Sequence, residues 1–205
     1  MDDYYDKVTA ELLRLDRWQF VAFAAACAER IALIFRSFGS PESVRLYEEG
    51  LEMAWRGVTQ KEVAAEAQQL IKEFEATPEG EEDPEIFTYH YAQRALAILT
   101  YALEAIVRNH VEPATWSCGE GLNFRSALDD LLRDESLRLK PHYLSDAPPP
   151  GPLEVLELKH QRETLELIKS VHAPNSELIS SLRRFARDAN KDLELAVSEI
   201  RKGRR

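Results

Sequence analysis

Apolar residues recur at spacings of three and four along most of the chain, a helical pattern. Between Arg17 and Phe38, the residues Phe20, Phe23, Ala24, Cys27, Ile31, Ile34 and Phe38 form one apolar face of a predicted helix. Its other side, Val21, Ala25, Ala28 and Ala32, is small enough to let a second helix approach closely. A helix apolar on both sides is buried. The segment from Pro84 to about His110 carries two such rows. Phe87, Tyr91, Ala95, Ile98, Ala102 and Ile106 make one, and Ala92, Leu96, Leu99, Leu103 and Val107 make the other. These two segments are predicted to be the inner pair of the fold.

The remaining segments read as amphipathic helices that clothe this pair. One covers roughly Asp3–Leu15. Gly39-Ser40-Pro41 supplies a stop, an N-cap and a first-turn proline for a helix to Gly57, with Val44, Tyr47, Leu51, Ala54 and Trp55 inward. Thr59 and Glu62 have capping-box spacing ahead of Val63, Ala67, Leu70, Ile71 and Phe74. Another helix spans Glu112 to Asp134, with Gly119 and Gly121 as the place for a break. The proline-rich stretch Pro141–Pro152 cannot be helical, and Leu153–His172 and Asn175–Lys202 follow it. The expectation is one all-α domain over residues 1–205, a compact bundle of about seven to nine helices with two central apolar ones. Residues 1–140 would form the main core, 141–152 a linker, and 153–205 a helical hairpin folded back onto that core.

Composition sharpens this picture. Apolar side chains make up 44% of the chain, enough for a substantial core, and only 8 residues are Gly. So few positions free for positive φ argue against all-β folds and glycine-built phosphate loops. A formal charge of −10 argues against DNA and membrane surfaces, which select clustered Lys and Arg. The acidity is concentrated, since residues 1–84 hold 9 basic and 18 acidic side chains. That asymmetry suggests docking of a basic protein, with Glu79, Glu81, Glu82 and Asp83 of the Thr77–Pro84 loop as the candidate contacts. The acidic start and the lack of an apolar run of about 20 residues favour a cytoplasmic, bacterial-type protein.

Catalytic chemistry finds little support. Cys27 and Cys118 are the only cysteines; Cys27 lies on a buried stripe and Cys118, beside Gly119, is expected to be the more accessible. No Ser sits in a G-x-S-x-G turn, so neither a catalytic residue nor a cofactor is expected, and a non-enzymatic role is favoured. Glu154, Glu157, His160 and Glu163 are spaced by three, and Glu157 with His160 makes one half of a helical di-metal motif. The second half is missing, so a solvated, salt-bridged face is the plainer reading. The alternative function is a metal- or small-ligand-binding enzyme or sensor centred there, or near Glu29 and Arg94. Tyr89-His90-Tyr91 has the look of an aromatic ligand set, but a partly buried, hydrogen-bonded His is the commoner outcome. Arg183, Arg184 and Arg187 are interleaved with acids and read as mixed surface. Glu29 and Arg30, in the middle of the most apolar segment, each require a partner. Arg94, midway along the other inner segment, is the predicted partner of Glu29, making either an ion pair that fixes helix register or a ligand site.

Trp18-Gln-x-x-Ala-Phe23-Ala-Ala-x-Cys27-x-Glu29-Arg30 resembles the signature of the YjaG-like family of bacterial proteins of unknown function. Trp55, Tyr91-Ala92-Gln93, Ala102-Leu103-Glu104 and Glu157 with Gln161 extend the resemblance. It implies a compact all-helical fold and assigns no catalytic residue. Two segments depart from that family's pattern: Ala32-Leu33-Ile34 replaces its Pro-Asn-Tyr, and Lys191-Asp-Leu-Glu194 its Ser-Asn-Ile-Gly. The chain is also similar to helical immunity proteins of bacterial toxin systems, which implies a binding role.

Overall fold

The computed structural model describes residues 2–81, 88–133 and 149–203, with side chains from Lys7 onward, and every regular element among them is helical. The α-helices are α1 (Asp2–Leu12), α2 (Arg17–Glu29), α3 (Ala32–Phe38), α4 (Pro41–Thr59), α5 (Ala64–Glu75), α6 (Tyr89–Arg108), α7 (Glu112–Leu132), α8 (Pro152–Lys169), α9 (Ser176–Asp188) and α10 (Glu194–Arg201). Short 3-10 turns cover Pro78–Gly80 and Ala189–Leu193. The fold is all-α, and α2 and α6 are its inner pair. Every residue of α2 from Phe20 to Glu29 is buried. It packs on α6 and is surrounded by α4, α7, α8 and α9, while α3, α4, α5 and α7 surround α6. Where α4 crosses α6, a Cβ on Gly57 would lie 2.3 Å from Ile106 Cδ1. Glycine is what permits that approach, at a helix-propensity cost of about 1 kcal/mol.

The predicted continuous helix from Arg17 to Phe38 is in fact two, bent by 41° between α2 and α3. No Gly or Pro lies at the break. Side chains from three other elements take over the backbone groups there: Tyr47 Oη donates to the Ala28 carbonyl (3.2 Å), Asn190 Nδ2 to that of Glu29 (2.9 Å) and Arg125 Nη2 to that of Arg30 (3.3 Å). The Leu33 N–H donates in turn to Asn190 Oδ1 (2.9 Å). Such insertions into the i to i−4 ladder bend a helix as effectively as a proline.

Other boundaries also differ from the sequence reading. Helix α7 runs unbroken through Gly119 and Gly121, so Cys118 lies inside a packed helix and is fully buried. Thr59 ends α4 with its hydroxyl turned back on the Arg56 carbonyl, and α5 starts only at Ala64, so Thr59 and Glu62 do not form a capping box. The last segment is divided by the Ala189–Leu193 turn. Residues 82–87 and most of the expected 141–152 linker, up to 148, lie outside the described residues. After the linker, Asp129 of α7 accepts from the N–H groups of Leu153 (3.0 Å) and Glu154 (2.9 Å), so a side chain of one helix caps the start of α8. A Cβ on Gly151 would sit 2.2 Å from Asp129 Cγ, so that cap needs glycine before it. Helix α8 packs on α2 and α7, and α9 on α2 and α8. Among the described residues no single helix is long and apolar enough to cross a membrane; the bent α2–α3 pair has the composition, but its residues form the core.

Candidate functional site

Glu29 and Arg30 close α2 and point into separate polar clusters, each of which draws on the C-terminal helices. Arg30 is buried, and its guanidinium forks onto Glu157 of α8, with Nη2 2.8 Å from Oε1 and Nε 3.2 Å from both oxygens. Its remaining donors reach Thr164 Oγ1 (3.2 Å) and Cys27 Sγ (3.1 Å). Arg125 of α7 approaches the same carboxylate from the other side, Nε to Oε2 at 3.0 Å. Gln161, one turn along α8, donates to Glu157 Oε1 (3.0 Å) and to the Cys118 carbonyl (3.2 Å), and its own Oε1 accepts from Cys118 Sγ (3.0 Å). Burial alone would raise the Glu157 pKa, but Arg30 and Arg125 override it and hold the carboxyl at about 2. Burial also works against the Arg30 charge, and Glu157 reverses that, raising the Arg30 pKa above its ordinary value. Arg125 has only one Glu157 contact, and burial prevails there to lower its pKa.

The Glu29 cluster opens toward the surface. Its buried carboxylate accepts from Trp55 Nε1 (2.8 Å) and Arg187 Nε (2.9 Å), with Arg183 Nε at 3.4 Å and Arg36 Nη2 at 3.9 Å. Arg36 and Arg183 also reach Glu48 and Glu52 on α4. Arg183 and Arg187 of α9 are therefore counter-ions of an acid in the core, not simply mixed surface. Arg94 is not the partner of Glu29: it donates to Glu120 Oε1 (2.7 Å) and lies over the Phe124 ring. The geometric reason is that Arg94 lies near the start of α6, facing α7, while Glu29 faces α4 and α9.

The other candidates divide. Glu154 and Glu157 are buried, so the spaced-by-three residues of α8 are not a solvated face. Both Glu157 oxygens are occupied by guanidinium groups. Among the described residues no three His, Cys, Asp or Glu side chains come together to hold a metal ion. Tyr91 packs its ring between Phe38 and Phe124. Glu79, a candidate docking contact in the sequence, is not available to a partner: it is fully buried, its carboxylate accepting from the Ser40 N–H ahead of α4. Glu81 is exposed, and Glu82 and Asp83 lie outside the described residues. Burial pushes the Cys27 thiol up to about 11 and the Cys118 thiol well above its ordinary value, so neither provides a thiolate near neutral pH.

His160 sits beside this network with Nε2 3.8 Å from Asp192 Oδ2 and its ring edge-on to Phe185. Burial lowers its pKa, helped by the charges of Arg30 and Arg125 and opposed by Glu157 and Asp192. As pH falls through about 6.5 the unfolded chain binds this proton before the folded one does, so stability declines below that pH. His160→Gln should flatten the stability curve below about pH 6.5, measured by urea unfolding as pH is lowered from neutral. An unchanged slope would remove His160 as the group responsible.

Sequence reasoning missed Arg125, Thr164 and Asn190, and named Gln161 only within the family resemblance. Arg125 carried a signal, since it lies on the same helical stripe as Leu122 and Leu128, where an unpaired charge is as costly as at Arg30. A family model described as a protein of unknown function (DUF416) matches residues 7–192. The chain belongs to the DUF416 family. Its fold is similar to the crystal structure of a DUF416 family protein from Shewanella baltica OS155, with a TM-score of 0.66 and 18% identity over 88% of this chain and 93% of that one. No curated protein matches. In this DUF416 member, scattered residues that carry the sequence resemblance meet in space: Cys27, Arg30, Glu157 and Gln161 in one cluster, Glu29 and Trp55 in the next.

Proposed function

We propose that this DUF416 protein is a non-catalytic, cytoplasmic binding module whose acidic N-terminal half docks a basic protein, as an immunity protein docks its toxin. The observation that supports this reading is where chemistry and access fall. The Glu157 cluster is closed, and the Glu29 carboxylate is taken up by Trp55 and arginine side chains. An open concavity of about 860 Å3 lies elsewhere, between α4 and α5, with Met53 and Leu70 among its lining and Glu48, Glu49, Glu52, Glu66 and Glu73 around it. Arg45 and Arg56 are the basic side chains of that lining, so acids outnumber bases within it. An apolar floor with a charged rim is the usual anatomy of a protein interface.

Charge reversal tests this. Glu49→Lys, Glu66→Lys and Glu73→Lys together should change stability by no more than about 1 kcal/mol, because exposed pairs contribute little. The triple variant should lose a basic partner captured by the wild-type chain, and wild-type association should slow with added salt. Capture that ignores both the substitutions and salt would overturn the reading.

A further inference from the structure

We propose that the occupant of the α4–α5 groove is an amphipathic α-helix of about three turns, apolar along one face and lined with Lys or Arg on both flanks. The inference rests on the binding reading above and specifies its partner. On α4 the lining residues are Arg45, Glu48, Glu49, Glu52, Met53 and Arg56, which recur at helical spacing along one face. With a rise of about 1.5 Å per residue, this stripe is about 17 Å long. On α5, Ala65, Glu66, Gln69, Leu70 and Glu73 form the facing stripe, and the Arg56–Glu66 ion pair (3.3 Å) joins the two near their connecting loop. A trough running lengthwise between two helices is the shape into which a third helix packs.

The backbone decides against an extended occupant. Peptide N–H and C=O groups along α4 and α5 are spent within their own helices, so the trough has no strand edge to pair with an incoming chain. A segment that settles there loses water from its backbone and must satisfy those groups internally, which a helix does.

The flanks decide the charge. Glu48 and Glu52 are already held from outside the groove by Arg36 and Arg183. Among the described residues, Glu49, Glu66 and Glu73 have only local partners within the two stripes, Arg45, Arg56 and Gln69. Those three glutamates are the ones an incoming cation reaches with least disturbance. Met53 and Leu70, buried at the base, meet the apolar face of the guest.

A displayed library of random 16-residue peptides, selected on the immobilised full chain, supplies the test. The enriched sequences should carry apolar residues at i, i+3 or i+4, and i+7, flanked by Lys or Arg. They should gain helical circular dichroism on binding, and bind the folded Glu49→Lys/Glu66→Lys/Glu73→Lys variant at least tenfold more weakly. Enriched peptides that are basic but extended or proline-rich would overturn the helix while leaving the basic-partner reading in place. Peptides indifferent to the three substitutions, or no enrichment at all, would overturn the groove as the docking site. In that last case a cellular partner that still requires the three glutamates keeps the broader reading, and one that ignores them ends both.

Discussion

Glu157→Gln should destabilise the protein by about 3–5 kcal/mol, the cost of leaving buried guanidinium groups without their counter-ion. Arg30 and Arg125 both lose their carboxylate in that variant, and neither can move to solvent from its position in the core. The cost measures the rupture of the cluster rather than its net contribution, because taking three charged groups out of water is itself expensive. Replacing the cluster as a whole, with Arg30→Met, Arg125→Met and Glu157→Leu together, should therefore restore most of the loss. It should not restore all of it, since Arg125 also donates to the Arg30 carbonyl at the α2–α3 break. Acid provides an independent check. The folded-state Glu157 pKa of about 2 lies below its ordinary value of 4.5, so its contribution is present above pH 4.5 and is lost as pH falls toward 2. The Gln variant should lack that share of the acid-induced loss. Urea midpoints for wild type, single and triple variants decide the matter, and a loss below about 1 kcal/mol for Glu157→Gln would mean that water reaches the two arginines.

The second large effect is expected at Phe23. Its ring is fully buried in the middle of α2, the helix that touches α4, α6, α7, α8 and α9. Truncation to Ala there removes apolar contacts and leaves a cavity that surrounding helices can only partly close, costing about 3–5 kcal/mol in chemical denaturation. Leu13→Ala is the matching control: Leu13 is 63% exposed, and its truncation should change stability by no more than about 0.5 kcal/mol. Equal effects at the two positions would contradict the burial of Phe23 and the exposure of Leu13.

The helical periods carried most of the architecture. Two-sided apolarity marked α2 and α6 as the inner pair because a helix without a polar side has nothing to show to water, and their residues are the buried ones. Phe23 and Trp55 were legible as core for the same reason. The need of Glu29 and Arg30 for partners was also legible, since the cost of burying a charge is a local property of an apolar stretch. Which partners they take was not. Arg30 is answered by Glu157, 127 positions away, and Glu29 by Arg187, 158 positions away, both through helices whose placement depends on how the whole bundle closes. Arg94 had the right charge on the right helix and the wrong facing. The bend after Glu29 was hidden for a related reason: the chain there contains no residue that breaks a helix, and Tyr47, Arg125 and Asn190 impose the break from outside. Glu79 shows the same division, an acid in a loop-like sequence that is buried where it accepts from the Ser40 N–H, 39 positions away. Periodicity and the price of burial are written in neighbouring residues, so the sequence alone determined the helices, the inner pair and the demand for counter-charges. The identity of each counter-charge, the break in the central helix and the groove between α4 and α5 are long-range choices, and only the tertiary packing decided them.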